Sequence, residues 1–226
     1  MALSREALGD GYVGQLGYAS EEDLRLLSEH VRARPGARIL DLCCGTGGMA
    51  AWAGRETGAT TVGVDCSLVG LRLARLQGAG LGDIVAGDVS RLPFADGSFD
   101  GIVCLDGFSY TPGAMAWEAI RVLRPGGRLA LLVSLPGDGT DEMVRSLREV
   151  GFTEVRLEER SANSQPVMAR WLEAFERHAA AHIAEVGERY HRSLTGEIRA
   201  LLEGYRAGAA ARVLVDAERP RVSGAA

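Results

Sequence analysis

The chain has 226 residues, of which 46% are apolar and 24% charged, and a formal net charge of -5. It is too apolar for a disordered segment and long enough for one substantial core, since cores begin to split above roughly 250 residues. The acidic balance excludes nucleic acid as the main partner, because neutralising phosphates needs a concentrated basic surface. The opening MALSREALGDGYVGQL has no basic stretch leading into an apolar one, and no apolar run reaches the length of a membrane span. A cytoplasmic protein with no membrane partner is therefore expected. All 25 basic residues are arginine, which reads as coding bias rather than chemistry.

In chain order, SEEDLRLLSEHVRA predicts a helix over Ser20–Arg34: Ser20 can cap it, Asp23 completes a capping box, and Leu24, Leu27 and Val31 form one apolar stripe. ARILDLCC then reads as a strand buried on both faces. TTVGVDCS, GDIVAGD, DGIVCLDGFSY, GGRLALLVSL and TEVRLEERS predict five further strands, alternating with helices over SLVGLRLARLQGAG, AMAWEAIRVLR and GDGTDEMVRSLREVGF. This alternation implies an α/β fold around a doubly wound parallel sheet. It breaks at residues 162–210, a long amphipathic stretch that predicts two or three inserted helices before a seventh strand in ARVLVDAERP. The expected organisation is one domain: residues 1–34 as an N-terminal lid and helix, 35–161 as core, 162–210 as a helical cap, and 211–220 as the last strand.

The chemistry concentrates at strand ends. Ile39-Leu-Asp41-Leu-Cys-Cys-Gly45-Thr-Gly47-Gly48-Met-Ala50 runs from a strand through a glycine turn into a helix, where glycine lets a ligand approach the backbone. Taken alone, GxGxxA also fits a nicotinamide dinucleotide site. Asp41 ends the first strand, where its carboxylate can organise the loop amides or meet a ligand ammonium. Asp65 closes the second strand about 20 residues on, the spacing at which an acid takes both ribose hydroxyls. Asp88 and Val89 follow the third strand, where a carboxylate can accept from an adenine amino group. Cys43, Cys44, Cys66 and Cys104 lie in or just after strands without a CxxC or His-Cys spacing, so they read as core or pocket-wall thiols, Cys66 among the latter, and no metal is expected. His178 and His182, four apart, would share one helix face, with no third ligand evident.

These residues, with FADGSFDGIVCLD and RVLRPGGRLAL, resemble the class I S-adenosylmethionine-dependent methyltransferases over residues 36–134. The resemblance implies a Rossmann-like seven-stranded sheet with helices on both faces, S-adenosylmethionine as cofactor, and a small-molecule methyl acceptor. It also implies that Gly45 and Gly47 flank the methionine part, with Asp41 at its amino-acid end. Asp65 would take the ribose, Asp88 and the Val89 amide the adenine, and Leu105 would lie near the cofactor. Leu105-Asp106-Gly107-Phe108-Ser109-Tyr110 resembles the segment of phosphoethanolamine and sarcosine/dimethylglycine N-methyltransferases that holds an acid and a histidine; Asp106 matches the acid, and Tyr110 replaces the histidine. Tyr12-Val-Gly-Gln-Leu-Gly-Tyr18 resembles the tyrosine-bearing lid of the same enzymes. Tyr18 and Tyr12 are therefore expected to close over the site, Asp106 to bind an ammonium or act as base, Tyr110 to orient the nucleophile, and His178 to face the acceptor from the cap. Nitrogen is the first expected acceptor, with carbon or oxygen in natural-product biosynthesis the alternative. A non-catalytic S-adenosylmethionine-binding protein and a nicotinamide-dependent oxidoreductase are the readings of another class. The oligomeric state stays open, a homodimer being one arrangement.

Overall fold

The computed structural model describes residues 17–77, 82–107 and 112–221. Tyr12 and Tyr110 lie outside the described residues. Helix α1 (Glu21–His30) begins as expected: Ser20 accepts the Asp23 N–H, and the Asp23 carboxylate accepts the Ser20 N–H, which completes the capping box. It ends earlier than Arg34 because Arg32 turns into the left-handed region, φ 54°. The sheet comprises β1 (Arg38–Leu42), β2 (Thr60–Asp65), β3 (Asp83–Ala86), β4 (Phe99–Leu105), β5 (Leu123–Pro136), β6 (Thr153–Glu159) and β7 (Ala210–Glu218). Between them run α2 (Gly48–Thr57), α3 (Leu68–Gln77), α4 (Pro112–Val122) and α5 (Gly139–Glu149).

The seven strands lie in the order β3-β2-β1-β4-β5-β7-β6. In β1, β4 and β5 the apolar runs are buried on both faces, by helices above and below. One cluster packs α4 and α5 residues such as Met115, Ala119 and Leu147 against Leu42, Ile102 and Leu131. The other packs Leu24 and Leu27 of α1 and Trp52 of α2 against Ile39, Val103 and Leu132. Alternate residues of each strand serve opposite clusters, as the pleat requires.

The parallel sheet that the alternation predicts runs through β3, β2, β1, β4 and β5, and the seventh strand, β7, lies antiparallel to both β5 and β6. The reason is where the insertion begins and ends. Glu159, at the end of β6, pairs with Val213 near the start of β7, and Ala210 pairs with Pro136 at the end of β5. The chain therefore leaves and re-enters the sheet at the same rim, the one formed by the strand C-termini, and can only run back down. Three helices occupy that excursion: α6 (Ser161–Arg177), α7 (Ala179–Val186) and α8 (Glu188–Ala207). Their apolar faces bury Val167, Met168, Trp171, Phe175, Ile198, Leu202 and Tyr205 with Tyr18. The cap thus stands over the rim that carries the acids singled out in the sequence.

Candidate active site

Strand order reverses between β1 and β4, which opens a crevice at their C-terminal ends, where open α/β sheets bind ligands. Both strands leave the sheet through residues in the left-handed region: Cys43 (φ 56°) after β1 and Asp106 (φ 63°) after β4. Such conformations are uncommon outside glycine and concentrate at functional sites. Gly107 lets the two exits meet, because a Cβ there would stand 2.4 Å from Cys43 Cβ and 3.1 Å from Cys104 Sγ.

On the β1–β2 side, the glycine turn is held by acids. Gly45 (φ 52°) and Gly47 (φ 76°) are left-handed, as the tight turn needs. Asp65 accepts the Gly45 N–H at 2.8 Å with one carboxylate oxygen and the Ser67 N–H at 2.7 Å with the other. A carboxylate offers about four acceptor sites, so two remain for a ligand. Asp41, buried, accepts the Ala50 N–H at 3.1 Å in the first turn of α2. Burial pushes its carboxyl up to about 7; the Ala50 N–H opposes this, and the charge of Asp65 adds to it. Neither acid has an ion-pair partner among the described residues.

This arrangement separates the two cofactor readings of the glycine turn. In a dinucleotide site the helix N-terminus takes the pyrophosphate. Here the Asp41 carboxyl already occupies one of those amides, whereas Asp65, an acid that either kind of site places here for a ribose, fits both. A ligand carrying positive charge fits Asp41.

Other expected cofactor residues are less enclosed. Asp88 is exposed, and the Ser90 N–H at 2.8 Å holds its carboxyl below the usual range. Val89 is half-buried against the core, Leu105 is buried, and Cys66 is exposed.

On the β4–β7 side, Arg212, 0% exposed, forms an ion pair with Asp106 through both carboxylate oxygens, and its guanidinium also donates to Ser134 Oγ at 3.0 Å. Ser134 in turn hydrogen-bonds the Tyr205 hydroxyl of α8 at 2.6 Å. Asp106 also accepts the Tyr18 N–H at 3.4 Å, so residue 18 lies directly over the end of β4. Gly17 permits that approach, since a Cβ there would stand 2.7 Å from an Asp106 carboxylate oxygen. The Tyr18 ring meets Trp171 edge-on, with centroids 6.4 Å apart. Burial first, then the charges of Glu197 and Asp106, push the Tyr18 hydroxyl well above its ordinary value.

The structure therefore brings Tyr18 and Asp106 together, and commits Asp106 to Arg212 rather than leaving a free carboxylate. His178 caps the N-terminus of α7 one turn before His182, whose N–H donates to the His178 carbonyl. The helix breaks at His178, which ends α6 and precedes α7, while His182 Nδ1 contacts His191 Nδ1 at 2.9 Å beneath the stacked ring of Phe175. Sequence reasoning missed Arg212, Ser134, Tyr205 and Glu197. Only Arg212 carried a signal, a charge among the apolar residues that open β7.

Residues 40–131 match the family described as "Methyltransferase domain". Methyltransferase GfsG of Streptomyces halstedii is 39% identical over 126 residues, 53% of this chain and 45% of that protein. Demethylmenaquinone methyltransferase of Beutenbergia cavernae is 43% identical over 101 residues, 44% of this chain and 41% of that protein. The chain thus spans less than half the length of these curated relatives. Phosphoethanolamine N-methyltransferase 2 of Haemonchus contortus, solved with phosphomonomethylethanolamine and S-adenosylhomocysteine, superposes with a TM-score of 0.76 at 18% identity, over 97% of this chain and 57% of that one. Residues 40–131 thus match the methyltransferase-domain family in sequence, and the described residues share the fold of the superposed methyltransferase.

Proposed function

We propose that the protein transfers the methyl group of S-adenosylmethionine to a nitrogen of a small molecule. The observation that carries the cofactor in this reading is the pair of buried carboxyls without ion-pair partners, Asp41 and Asp65, at the ends of adjacent strands around a left-handed glycine turn; the likeness to phosphoethanolamine N-methyltransferase 2 favours nitrogen. S-adenosylmethionine supplies a sulfonium methyl and an ammonium, the two positive charges such a cradle would balance. Asp65 would hold the ribose hydroxyls with its two unused acceptor sites, and Asp41 would face the ammonium. Gly45 and Gly47 would let the methionine chain lie against bare backbone, with Leu105 nearby and Cys66 in the wall. Asp88 and the Val89 amide would meet the adenine from the more open end of β3.

The remaining task of the protein is alignment and exclusion of water, since an in-line displacement depends mainly on geometry. Tyr18 and the cap helices cover the crevice over Asp106, and the buried ion pair with Arg212 fixes that wall of the acceptor space. Tyr12, Tyr110 and His178 remain part of the reading as acceptor-side residues. An acceptor nitrogen arrives unprotonated, its lone pair forms the new N–C bond, and the C–S electron pair returns to sulfur.

A second reading is transfer to carbon or oxygen of a lipophilic acceptor, favoured by the 43% identity to a demethylmenaquinone methyltransferase. The test begins with calorimetric titration of the protein with S-adenosylmethionine, S-adenosylhomocysteine and NAD(H). Saturable binding of the first two alone supports the proposal, and binding of NAD(H) alone overturns it. Transfer of isotopically labelled methyl into amines, against phenols and enolisable ketones, then separates nitrogen from the second reading.

A further inference from the structure

Two of the four thiols meet where the crevice opens. Leu42 of β1 pairs with Cys104 of β4, and both side chains enter the cluster beneath α4 and α5. Cys43, the next residue, should by alternation point to the other face. It packs against the same cluster instead, because its left-handed φ of 56° swings the side chain over. Its sulfur therefore comes beside that of Cys104: a Cβ placed on Gly107 would stand 2.6 Å from Cys43 Sγ and 3.1 Å from Cys104 Sγ. Parallel strands lie about 4.8 Å apart and rise about 3.3 Å per residue, so one residue of stagger separates the two Cα atoms by about 6 Å. A disulfide spans Cα separations of about 4.4–6.8 Å, so the two backbones already stand at bridging distance.

The two thiols differ in reach. Cys43 is partly exposed, whereas Cys104 is fully buried. The neighbouring Cys43 sulfur, then burial, hold the Cys104 thiol well above its ordinary value. An oxidant entering the crevice thus meets Cys43 first, and Cys104 is placed to resolve what forms there. Cys44 turns instead to Gly63 of β2, and Cys66 is exposed beyond that strand.

We propose that Cys43 and Cys104 are an oxidisable pair, and that a disulfide between them closes the crevice to the cofactor. The oxidant is a peroxide. The Cys43 thiolate attacks one peroxide oxygen, the O–O bond breaks, and the leaving hydroxide takes up the proton that Cys43 lost, which gives water and a sulfenic acid on Cys43. The Cys104 sulfur then attacks Cys43 Sγ, the S–O bond breaks, and the hydroxyl leaves with the Cys104 proton as a second water. Two thiols have lost two electrons and two protons, and the peroxide has gained them. The new bond draws the sulfurs to about 2.05 Å and ties the exits of β1 and β4 together. Those exits carry the glycine turn and Asp106, between which the methionine part of S-adenosylmethionine would lie, so the closing half of the proposal rests on the methyl-transfer reading above.

The test treats the reduced protein with hydrogen peroxide, maps cross-links by peptide mass spectrometry after blocking free thiols, and titrates S-adenosylhomocysteine calorimetrically. A link between Cys43 and Cys104, reversed by dithiothreitol, is expected, and the oxidised protein should bind at least about tenfold more weakly than the reduced one. By reciprocity, prior saturation with S-adenosylhomocysteine should slow the cross-link. Cys43→Gly suits the left-handed position and removes the thiol, so its affinity should not respond to peroxide. Cys104→Ser should instead accumulate the sulfenic acid on Cys43, read by dimedone labelling. Oxidation confined to Cys66, a cross-link of any other pair, or an oxidised protein that binds as tightly as the reduced one each overturns the proposal. Failure of the reduced wild type to bind S-adenosylhomocysteine would instead fell the methyl-transfer reading, whereas the cross-link is read without any ligand.

Discussion

The two sides of the crevice are built by different means. On the β1–β2 side, carboxylates are held by backbone amides close in sequence: Asp65 by Gly45 and Ser67, Asp41 by Ala50, with separations of 20, 2 and 9 residues. On the β4–β7 side, side chains hold side chains across the fold, Arg212 reaching Asp106 over 106 residues and Ser134 over 78. The first side leaves its negative charge uncompensated for a ligand to balance, whereas the second neutralises Asp106 internally. A cofactor common to a whole family can be met by main chain and a few short-range acids, while an individual acceptor is shaped by long-range contacts.

The sharpest way to break this comparison is to unpair the neutralised side. Arg212→Met would leave Asp106 in a largely dry wall without its partner, a change expected to cost about 3 kcal/mol of stability, the low end for a broken buried pair because Asp106 keeps some contact with water. Adding Asp106→Asn should recover part of the loss. Denaturant unfolding of the three proteins checks both expectations; equal stability of Arg212→Met and wild type would mean the pair is no structural anchor.

Next in size is Asp65→Ala, which removes the acceptor for two loop amides and, on the proposed reading, for the ribose. Cofactor affinity should fall by about 1.5–3 kcal/mol, the range for hydrogen bonds to a charged group. Calorimetric titration with S-adenosylmethionine measures it, and unchanged affinity would remove Asp65 from the site.

Asp41 gives the comparison a pH axis. Its carboxyl is raised, so the folded protein keeps a proton that the unfolded chain releases near pH 4, and the unliganded protein should lose stability as pH rises from about 4 through about 7. A cationic ligand favours the ionised form, so S-adenosylmethionine affinity should increase between pH 6 and 8, by up to about tenfold for each unit below the carboxyl's own value. Asp41→Asn should flatten both profiles; an affinity that stays flat with pH in the wild type would show that Asp41 does not face the ligand charge.

The same contrast explains what the sequence could reveal. The strands of the core, the capping box at Ser20 and Asp23, and the acids after β1, β2 and β3 are local patterns, each readable within a few residues because the physics that fixes them is local. The antiparallel β7 was not readable, since its direction depends on where a 47-residue excursion, Ser161–Ala207, returns to the sheet. Nor was the partner of Asp106: nothing near Asp106 in the chain marks Arg212, and only the fold brings β4 and β7 to either side of Ser134. Nor did the spacing of His178 and His182 indicate that His182 meets His191 across α7 and α8, another contact made only by the fold.

The smallest expected effect lies at the open end of the cofactor side. Asp88 is exposed, and one of its oxygens already accepts the Ser90 N–H, so a hydrogen bond to adenine there competes with water at every moment. Asp88→Ala should lower S-adenosylmethionine affinity by a factor about ten times smaller than Asp65→Ala does, because replacing an exposed partner by solvent forfeits little. Titration of the two variants side by side gives the ratio. An Asp88 effect as large as that of Asp65 would mean that the ligand itself encloses this carboxylate, and that the cradle closes around the adenine when it binds.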